Sequence, residues 1–87
     1  MKTIESTYKK IVGSVPDSIK QEVDWEIAVS NKIADLMQNK GLSKKEFAMQ
    51  MGKNPSEITK WLSGQHNFTL RTIAEISAFF NQPMIKI

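Results

Sequence analysis

The feature that most constrains this chain is a series of helix stop and start signals in its second half. An apolar helical pattern ends at a glycine three times, at Gly41, Gly52 and Gly64, and glycine is the residue most favoured just past the last turn of a helix. Each glycine precedes a residue type that caps the start of a helix. These capping residues are Ser43, Asn54 and Thr69. The pattern leaves room for short helices only and predicts an all-α fold.

The most complete start signal lies around Ser43. Ser43 and Glu46 have the spacing of a capping box, in which each residue bonds the backbone N–H of the other. Leu42 and Phe47 occupy the two positions of a hydrophobic staple. We therefore predict a helix over residues 44–51.

A second short helix is predicted over residues 55–63. Asn54 stands at the capping position, Pro55 suits the first helical position, and Glu57 places a negative charge in the first turn. The apolar residues of this helix share one side, which we expect to face the core. They are Ile58, Trp61 and Leu62.

Three further helices complete the prediction. Thr69 caps a helix that reaches about residue 81, and apolar spacing predicts another over residues 3–12. A long helix over residues 18–39 has a capping-box pair at Ser18 and Gln21. Its apolar stripe is irregular at residues 24–27, where a break or kink is expected. Residues 82–87 are predicted to form a short extended tail.

Length and composition narrow the class of protein. A chain of 87 residues forms one small domain of marginal stability, which dimerisation would increase. The absence of cysteine excludes disulfide frameworks and cysteine-based zinc sites. No apolar run reaches the roughly 20 residues needed to cross a bilayer, and the amino terminus lacks the apolar core of a secretory signal. We therefore expect a cytoplasmic protein that does not bind membranes and needs no cofactor.

The positive charge is concentrated in the segment with the short helices. Residues 1–39 hold five lysines and six acidic residues, a net charge of −1, whereas residues 40–64 hold five lysines and two acidic residues, a net charge of +3. Residues 65–87 add +1. Such a distribution suits a surface that faces phosphates, although a solvated lysine-rich face is the alternative.

Two short helices joined by a tight turn form a helix-turn-helix motif. Ala48 is small enough for the second helix to cross the first there, and Gly52 lets the chain reverse. The second helix then directs its polar side chains outward, toward a DNA major groove. These are Asn54, Ser56, Glu57, Thr59 and Lys60.

With these residues in place, residues 29–81 resemble the XRE family, the helix-turn-helix proteins of Cro and lambda-repressor type. The resemblance rests on Gly41-Leu42-Ser43, Phe47-Ala48, Met51-Gly52, Ile58-Thr59-Lys60-Trp61, Gly64, Leu70, Ile73 and Ile76. The run from Trp61 to Leu70 is most similar to antitoxins of HigA type, which bind a ribosome-dependent ribonuclease toxin and repress their own operon. Residues 1–28 form a helical extension outside the shared domain.

The resemblance implies a role for each matching position. Asn54, Ser56 and Lys60 match positions that contact base edges, and Thr59 matches a neighbour that reaches backbone or base. Lys44 matches a phosphate-contacting position. The loop residues expected to meet phosphate are Gln65, His66 and Asn67. Pro55 departs from the family, because many relatives have a polar, base-contacting residue there and proline has no side-chain donor.

Several residues have a second interpretation. Asn54 and Glu57 also suit a purely capping role, and Lys44, Lys45 and Lys60 also suit a solvated surface. His66 has no metal-binding partners, so we assign it to loop structure or phosphate contact.

Two apolar segments also have alternatives. Trp25 either packs under the N-terminal helix or lies exposed as a contact for a partner. The apolar residues near the C terminus suggest a dimer contact, with a frayed tail as the alternative. They are Phe79, Phe80, Met84 and Ile85.

The sequence therefore predicts a non-catalytic, sequence-specific DNA-binding repressor that acts as a homodimer on a double-stranded operator. An antitoxin would also bind a small ribonuclease toxin, for which the acidic residues of the N-terminal part offer a surface. They are Glu22, Asp24, Glu26 and Asp35. The alternatives are a stand-alone or phage-type repressor and an adaptor that contacts only protein.

Overall fold

The computed structural model describes residues 15–85, and the regular structure of this part is entirely helical. The four helices are α1 (Asp17–Lys40), α2 (Lys44–Met51), α3 (Pro55–Trp61) and α4 (Leu70–Phe80). The predicted all-α, lambda-repressor-like class is confirmed. The helix predicted over residues 3–12 lies outside the described residues.

Two of the three predicted glycine stop signals end a helix where expected. Gly41 follows α1 with φ 66° and Gly52 follows α2 with φ 70°, a left-handed conformation that glycine adopts without steric cost. The N–H of Lys53 donates to the carbonyl of Ala48 at 2.8 Å, which satisfies one of the carbonyls left open at the end of α2. Asn81, with φ 52°, ends α4 in the same way.

The core is centred on the phenyl ring of Phe47. The centre of this fully buried ring lies 5.9 Å from the ring centre of Trp61 on α3. It lies 5.3 and 5.2 Å from the ring centres of Phe79 and Phe80 on α4. Aromatic pairs at such distances add to the free energy gained from burial alone. The buried apolar residues around this cluster are Val29, Ile33, Leu36, Met37, Ala48, Ile58, Ile76 and Met84.

The structure corrects two predictions about α1. The helix is continuous through residues 24–27, so the expected break is absent. The apolar stripe is irregular there because this half of the helix is largely exposed: Val23, Trp25 and Ile27 all face solvent. The start is also different. Pro16 occupies the capping position, no side chain caps the helix, and Ser18 already lies in the first turn. Because a capping residue must be non-helical, Ser18 does not form the predicted capping box.

Helix α3 ends at Trp61, two residues before the predicted end. The hydroxyl of Ser63 donates to the carbonyl of Lys60 at 2.6 Å. A serine side chain that bonds the backbone in this way offers an alternative to the next helical turn. The chain therefore leaves the helix early and starts the loop to α4.

The C-terminal apolar residues pack within the protomer. Phe80 and Met84 are buried, and the N–H of Met84 donates to the hydroxyl of Ser77 on α4 at 3.1 Å. Phe79 packs on Phe47, and only Ile85 of the group is exposed. Three of the four side chains predicted to form a dimer contact are therefore used by the protomer's own core.

Replacing the central ring should be the most damaging single truncation in this core. We expect Phe47→Ala to lower the free energy of unfolding by about 3–5 kcal/mol, because the ring leaves a cavity between three helices. Denaturant unfolding followed by far-ultraviolet circular dichroism measures this loss. Met49→Ala on the same helix is the matched control, because Met49 is 71% exposed and should change stability by under about 0.5 kcal/mol. Equal effects of the two changes would contradict the central role of Phe47.

Candidate nucleic-acid interface

Helices α2 and α3 form a helix-turn-helix with a rigid inner side. Ala48 on α2 is buried and so are Ile58 and Trp61 on α3, as the sequence predicted. The small side chain of Ala48 lets the two helices approach closely. Both helices are therefore held by the core through one side, and the opposite side of α3 is directed away from it.

The outer side of α3 is polar and exposed. Ser56, Thr59 and Lys60 are all exposed, while Glu57 is half-buried. Because Ile58 and Trp61 alternate with these residues along a seven-residue helix, the orientation of the polar side is fixed by the burial of the apolar side. This is the arrangement that a helix needs in order to present side chains to the edge of a DNA groove.

Asn54 occupies the capping position of α3, but its side chain does not cap the helix. Its backbone has the extended conformation of a capping residue, φ −81° and ψ 145°, and the structure contains no side-chain cap bond there. The predicted cap bond is therefore wrong, although the position is correct. The amide of this exposed residue is therefore not used as a cap of α3.

Thr59 has a hydroxyl group that is already bonded. It donates to the carbonyl of Pro55, one turn earlier, at 3.2 Å. The hydrogen of the hydroxyl is therefore used within the helix. The groups that Thr59 can offer outward are its methyl group and the oxygen lone pairs.

The lysines of the basic segment have different environments. Lys44, Lys45 and Lys60 are exposed. Lys53 is half-buried, and its Nζ lies 3.5 Å from a carboxylate oxygen of Glu75 on α4. This ion pair neutralises one of the charges that the sequence assigned to a phosphate-facing surface, and it joins the turn of the motif to α4.

The start of α2 has the predicted capping box. The hydroxyl of Ser43 accepts a bond from the N–H of Glu46, and the carboxylate of Glu46 accepts one from the N–H of Ser43, both at 3.1 Å. Two hydrogen bonds with Ser43 lower the pKa of Glu46. The bond from the backbone N–H of Ser43 has the larger effect, and the bond with its side chain has the smaller one. Lys44 is the first residue of α2, directly after the capping residue.

The loop between α3 and α4 contains a residue whose role the sequence analysis missed. The hydroxyl of Ser63 accepts a bond from the N–H of Gln65 at 3.1 Å, in addition to the bond that it donates to Lys60. Ser63 therefore fixes the path of the loop. A serine whose hydroxyl bonds the backbone two residues further along the chain is a common turn signal. The run Ser63-Gly64-Gln65 offers this signal in the sequence.

The three loop residues predicted to meet phosphate lie in different surroundings. The side chain of Gln65 is exposed. His66 is half-buried, with its ring edge-on to Phe68 at 4.7 Å. Asn67 lines an apolar groove that also includes Trp25. The side chains of these three residues therefore have three different environments.

Residues 15–85 contain neither a cluster of potential metal ligands nor a helix suited to a bilayer. This part of the chain has no group of three histidine or acidic side chains placed to hold a metal ion. It also has no helix with the length and apolar character needed to span a bilayer.

Comparison with known families gives one match. The model of a family described as helix-turn-helix matches residues 33–87, more than half of the chain. The match includes the last third of α1 and all of α2, α3 and α4. No curated protein and no solved structure matches the chain.

The capping box should make stability depend on acid pH. Because the folded protein lowers the pKa of Glu46, the stabilisation is fully present above the ordinary glutamate pKa and is lost as pH falls through the lowered value. Glutamine keeps the bonding pattern but does not titrate. We therefore expect Glu46→Gln to reduce the free energy of unfolding at neutral pH, and this difference from the natural chain to shrink in acid.

Ser43→Ala tests the other half of the capping box. It should lower the free energy of unfolding by about 1 kcal/mol, because one backbone donor of α2 loses its acceptor. Both variants are compared by denaturant unfolding at a series of pH values. A difference between Glu46→Gln and the natural chain that stays constant with pH would contradict the assigned role of the carboxylate.

Proposed function

Because the chain belongs to the XRE-type helix-turn-helix family and is a DNA-binding transcription regulator, we propose that it is a sequence-specific repressor that inserts α3 into the major groove of its operator. One observation above all supports this proposal. The polar side of α3 is exposed along its length, while the other side is held in the core by Ile58 and Trp61.

Base contacts are assigned to Asn54, Ser56 and Lys60. An asparagine amide can bond adenine through two groups, a lysine can donate to guanine, and a serine hydroxyl can bond several bases. The Asn54 amide is not used as a cap, which supports its assignment. Pro55 lies between Asn54 and Ser56 and contributes no polar side-chain group.

Thr59 and Lys44 are assigned supporting contacts. With its hydroxyl hydrogen donated to Pro55, Thr59 is suited to contact the methyl group of thymine. Lys44 is exposed at the start of α2, where both its ammonium group and the helix terminus favour a phosphate.

The loop after α3 is assigned to contacts with the DNA backbone. Gln65 would contribute its exposed side chain, since its backbone N–H is bonded to Ser63. His66 and Asn67 complete the assignment, with His66 held against Phe68. Such contacts position a protein on the duplex without selecting a sequence.

The repressor is proposed to bind as a homodimer. Two copies related by a two-fold axis would place their α3 helices in successive major grooves, about 34 Å apart, on an operator with matching symmetry. A small domain also gains stability from such an association.

Substitutions on the two helices should have different effects on DNA binding. Lys44→Ala should weaken binding to all sequences alike and lower the slope of log affinity against log salt by about 0.9, because one phosphate contact is lost. Lys60→Ala and Ser56→Ala should each lose about 1–3 kcal/mol at particular base pairs only. Fluorescence anisotropy with operator and scrambled duplexes over a salt series measures both effects.

Lys32→Ala is the matched control, since Lys32 is an exposed lysine on α1 outside the motif. It should leave affinity and salt slope almost unchanged. Unchanged operator binding in a variant with both Lys44→Ala and Lys60→Ala would reject the site assignment. If the natural chain bound no DNA in any preparation, the result would favour an adaptor that contacts only protein.

We further propose that the repressor is the antitoxin of a toxin–antitoxin pair and regulates its own operon. The likeness of residues 61–70 to HigA-type antitoxins supports this, as does an acidic and exposed part of α1. Glu22, Asp24 and Asp35 are exposed there, and they suit the basic surface of a small ribonuclease. A stand-alone or phage-type repressor is the alternative.

Purification of the tagged protein from its native host, with nuclease treatment, tests the antitoxin proposal. A small basic ribonuclease should co-elute in near-equal amount. It should be lost from the variant with Asp24→Lys and Asp35→Lys, but kept by the variant with Lys44→Ala and Lys60→Ala. Recovery of operator fragments before the nuclease treatment, with no protein partner in near-equal amount after it, would favour the stand-alone repressor.

A further inference from the structure

An apolar groove of about 510 Å³ runs between the first half of α1 and the start of α4. Val29, Phe68 and Ile73 contribute to its lining. Ser18, Glu22 and Glu26 stand on the same side of α1 and also line it. No residue of α3 lines the groove, and of the residues assigned to DNA contacts only Asn67, in the loop before α4, does so.

The groove collects most of the large apolar side chains that the described part of the chain exposes. Trp25 is 63% exposed, Leu70 is 75% exposed, and both line the groove. Ile19 and Ile85 also line it and are exposed to a lesser extent. Contiguous apolar surface of this kind is rare on a soluble protein unless another chain segment or molecule covers it.

We propose that the groove is the docking site of the chain's own N-terminal segment, bound as an amphipathic helix over residues 3–12. This inference does not rest on the proposed function. The segment offers an apolar surface that matches the apolar groove, because its apolar residues recur at the spacing of a single helical stripe. They are Ile4, Tyr8, Ile11 and Val12.

The lengths of the segment and the groove agree. A helix of ten residues is about 15 Å long at 1.5 Å per residue. The side of α1 that lines the groove extends from Ser18 to Val29, which corresponds to roughly 17 Å along the helix axis. A helix over residues 3–12 is therefore long enough to lie along most of this side of α1.

The connection also favours docking within one chain. Helix α1 begins at Asp17, at the end of the groove marked by Ser18 and Ile19. Residues 13–16 leave a four-residue link, and antiparallel helix pairs are joined by loops of two to five residues. A tethered segment also binds at a high effective concentration. The N-terminal helix can therefore fold back along α1 at little entropic cost.

The charges of the two surfaces are complementary. Glu22 and Glu26 line the acidic side of the groove. Residues 1–14 contain three lysines and one glutamate, a net charge of +2. Two of these lysines, Lys9 and Lys10, directly follow Tyr8, which belongs to the apolar stripe. Opposite charges beside an apolar contact favour this segment over one of acidic composition.

A spin label on the full-length protein tests the proposal. The natural chain has no cysteine, so Ser6→Cys provides a single attachment site on the polar side of the predicted helix. We expect the nitroxide to abolish the amide NMR signals of Phe68, Leu70 and Ile73. The signals of Ser56 and Thr59 on α3 should persist. Reduction of the nitroxide should restore the lost signals.

A mixed sample separates the occupants of the groove. Spin-labelled chains without isotope are combined with isotope-labelled chains without a spin label. The signals of residues 68–73 should persist in this mixture if the segment docks within its own chain. Their loss in the mixture would show a second copy in the groove and overturn the proposal. Persistence of these signals in a sample whose chains carry both the spin label and the isotope would overturn the proposal as well.

Substitution of the apolar stripe provides a second test. The change of both Tyr8→Ala and Ile11→Ala in the spin-labelled chain should restore the signals of residues 68–73. Alanine has the highest helix propensity, so recovery would report lost apolar contact and not a lost helix. Thr7→Ala is the matched control in the same segment and should leave the signals broadened. Equal signals in the two variants would contradict the assigned contact.

Discussion

The arrangement of the last three helices depends on the burial of the Phe47 ring. The same residue has a local role and a long-range one, because it is a staple position at the start of α2 and also the centre of the aromatic cluster with Trp61, Phe79 and Phe80. The capping box sets the start of α2, and the ring of Phe47 contacts both α3 and α4 from this helix. The polar side of α3 then faces outward as a consequence of core packing.

The features predicted correctly from the sequence are those set by residues close together in the chain. The capping box of Ser43 and Glu46 joins residues within one helical turn, and the cap that Thr69 provides for α4 is similar. The exposed side of α3 follows from the spacing of Ile58 and Trp61. Local hydrogen bonds and apolar periodicity therefore determined the all-α fold and the outward positions of the candidate site.

The features that were missed depend on distant partners or on a choice between two similar local bonds. Lys53 looks like any basic residue until α4 places Glu75 beside it. Ser63 can either continue α3 or bond the carbonyl of Lys60, and the second arrangement shortens the helix. The burial of Met84 likewise depends on how the chain returns to Ser77. Neither periodicity nor capping patterns contain this information.

The continuity of α1 has a geometric consequence. A helix of 24 residues without a hinge is about 36 Å long, and it begins in the part of the chain that precedes the matched family domain and ends at the start of α2. Its two ends therefore keep a constant separation and direction. Any molecule held at the amino-terminal end would sit at a fixed offset from bound DNA, so helix length and rotation together would determine which neighbouring surface it could reach.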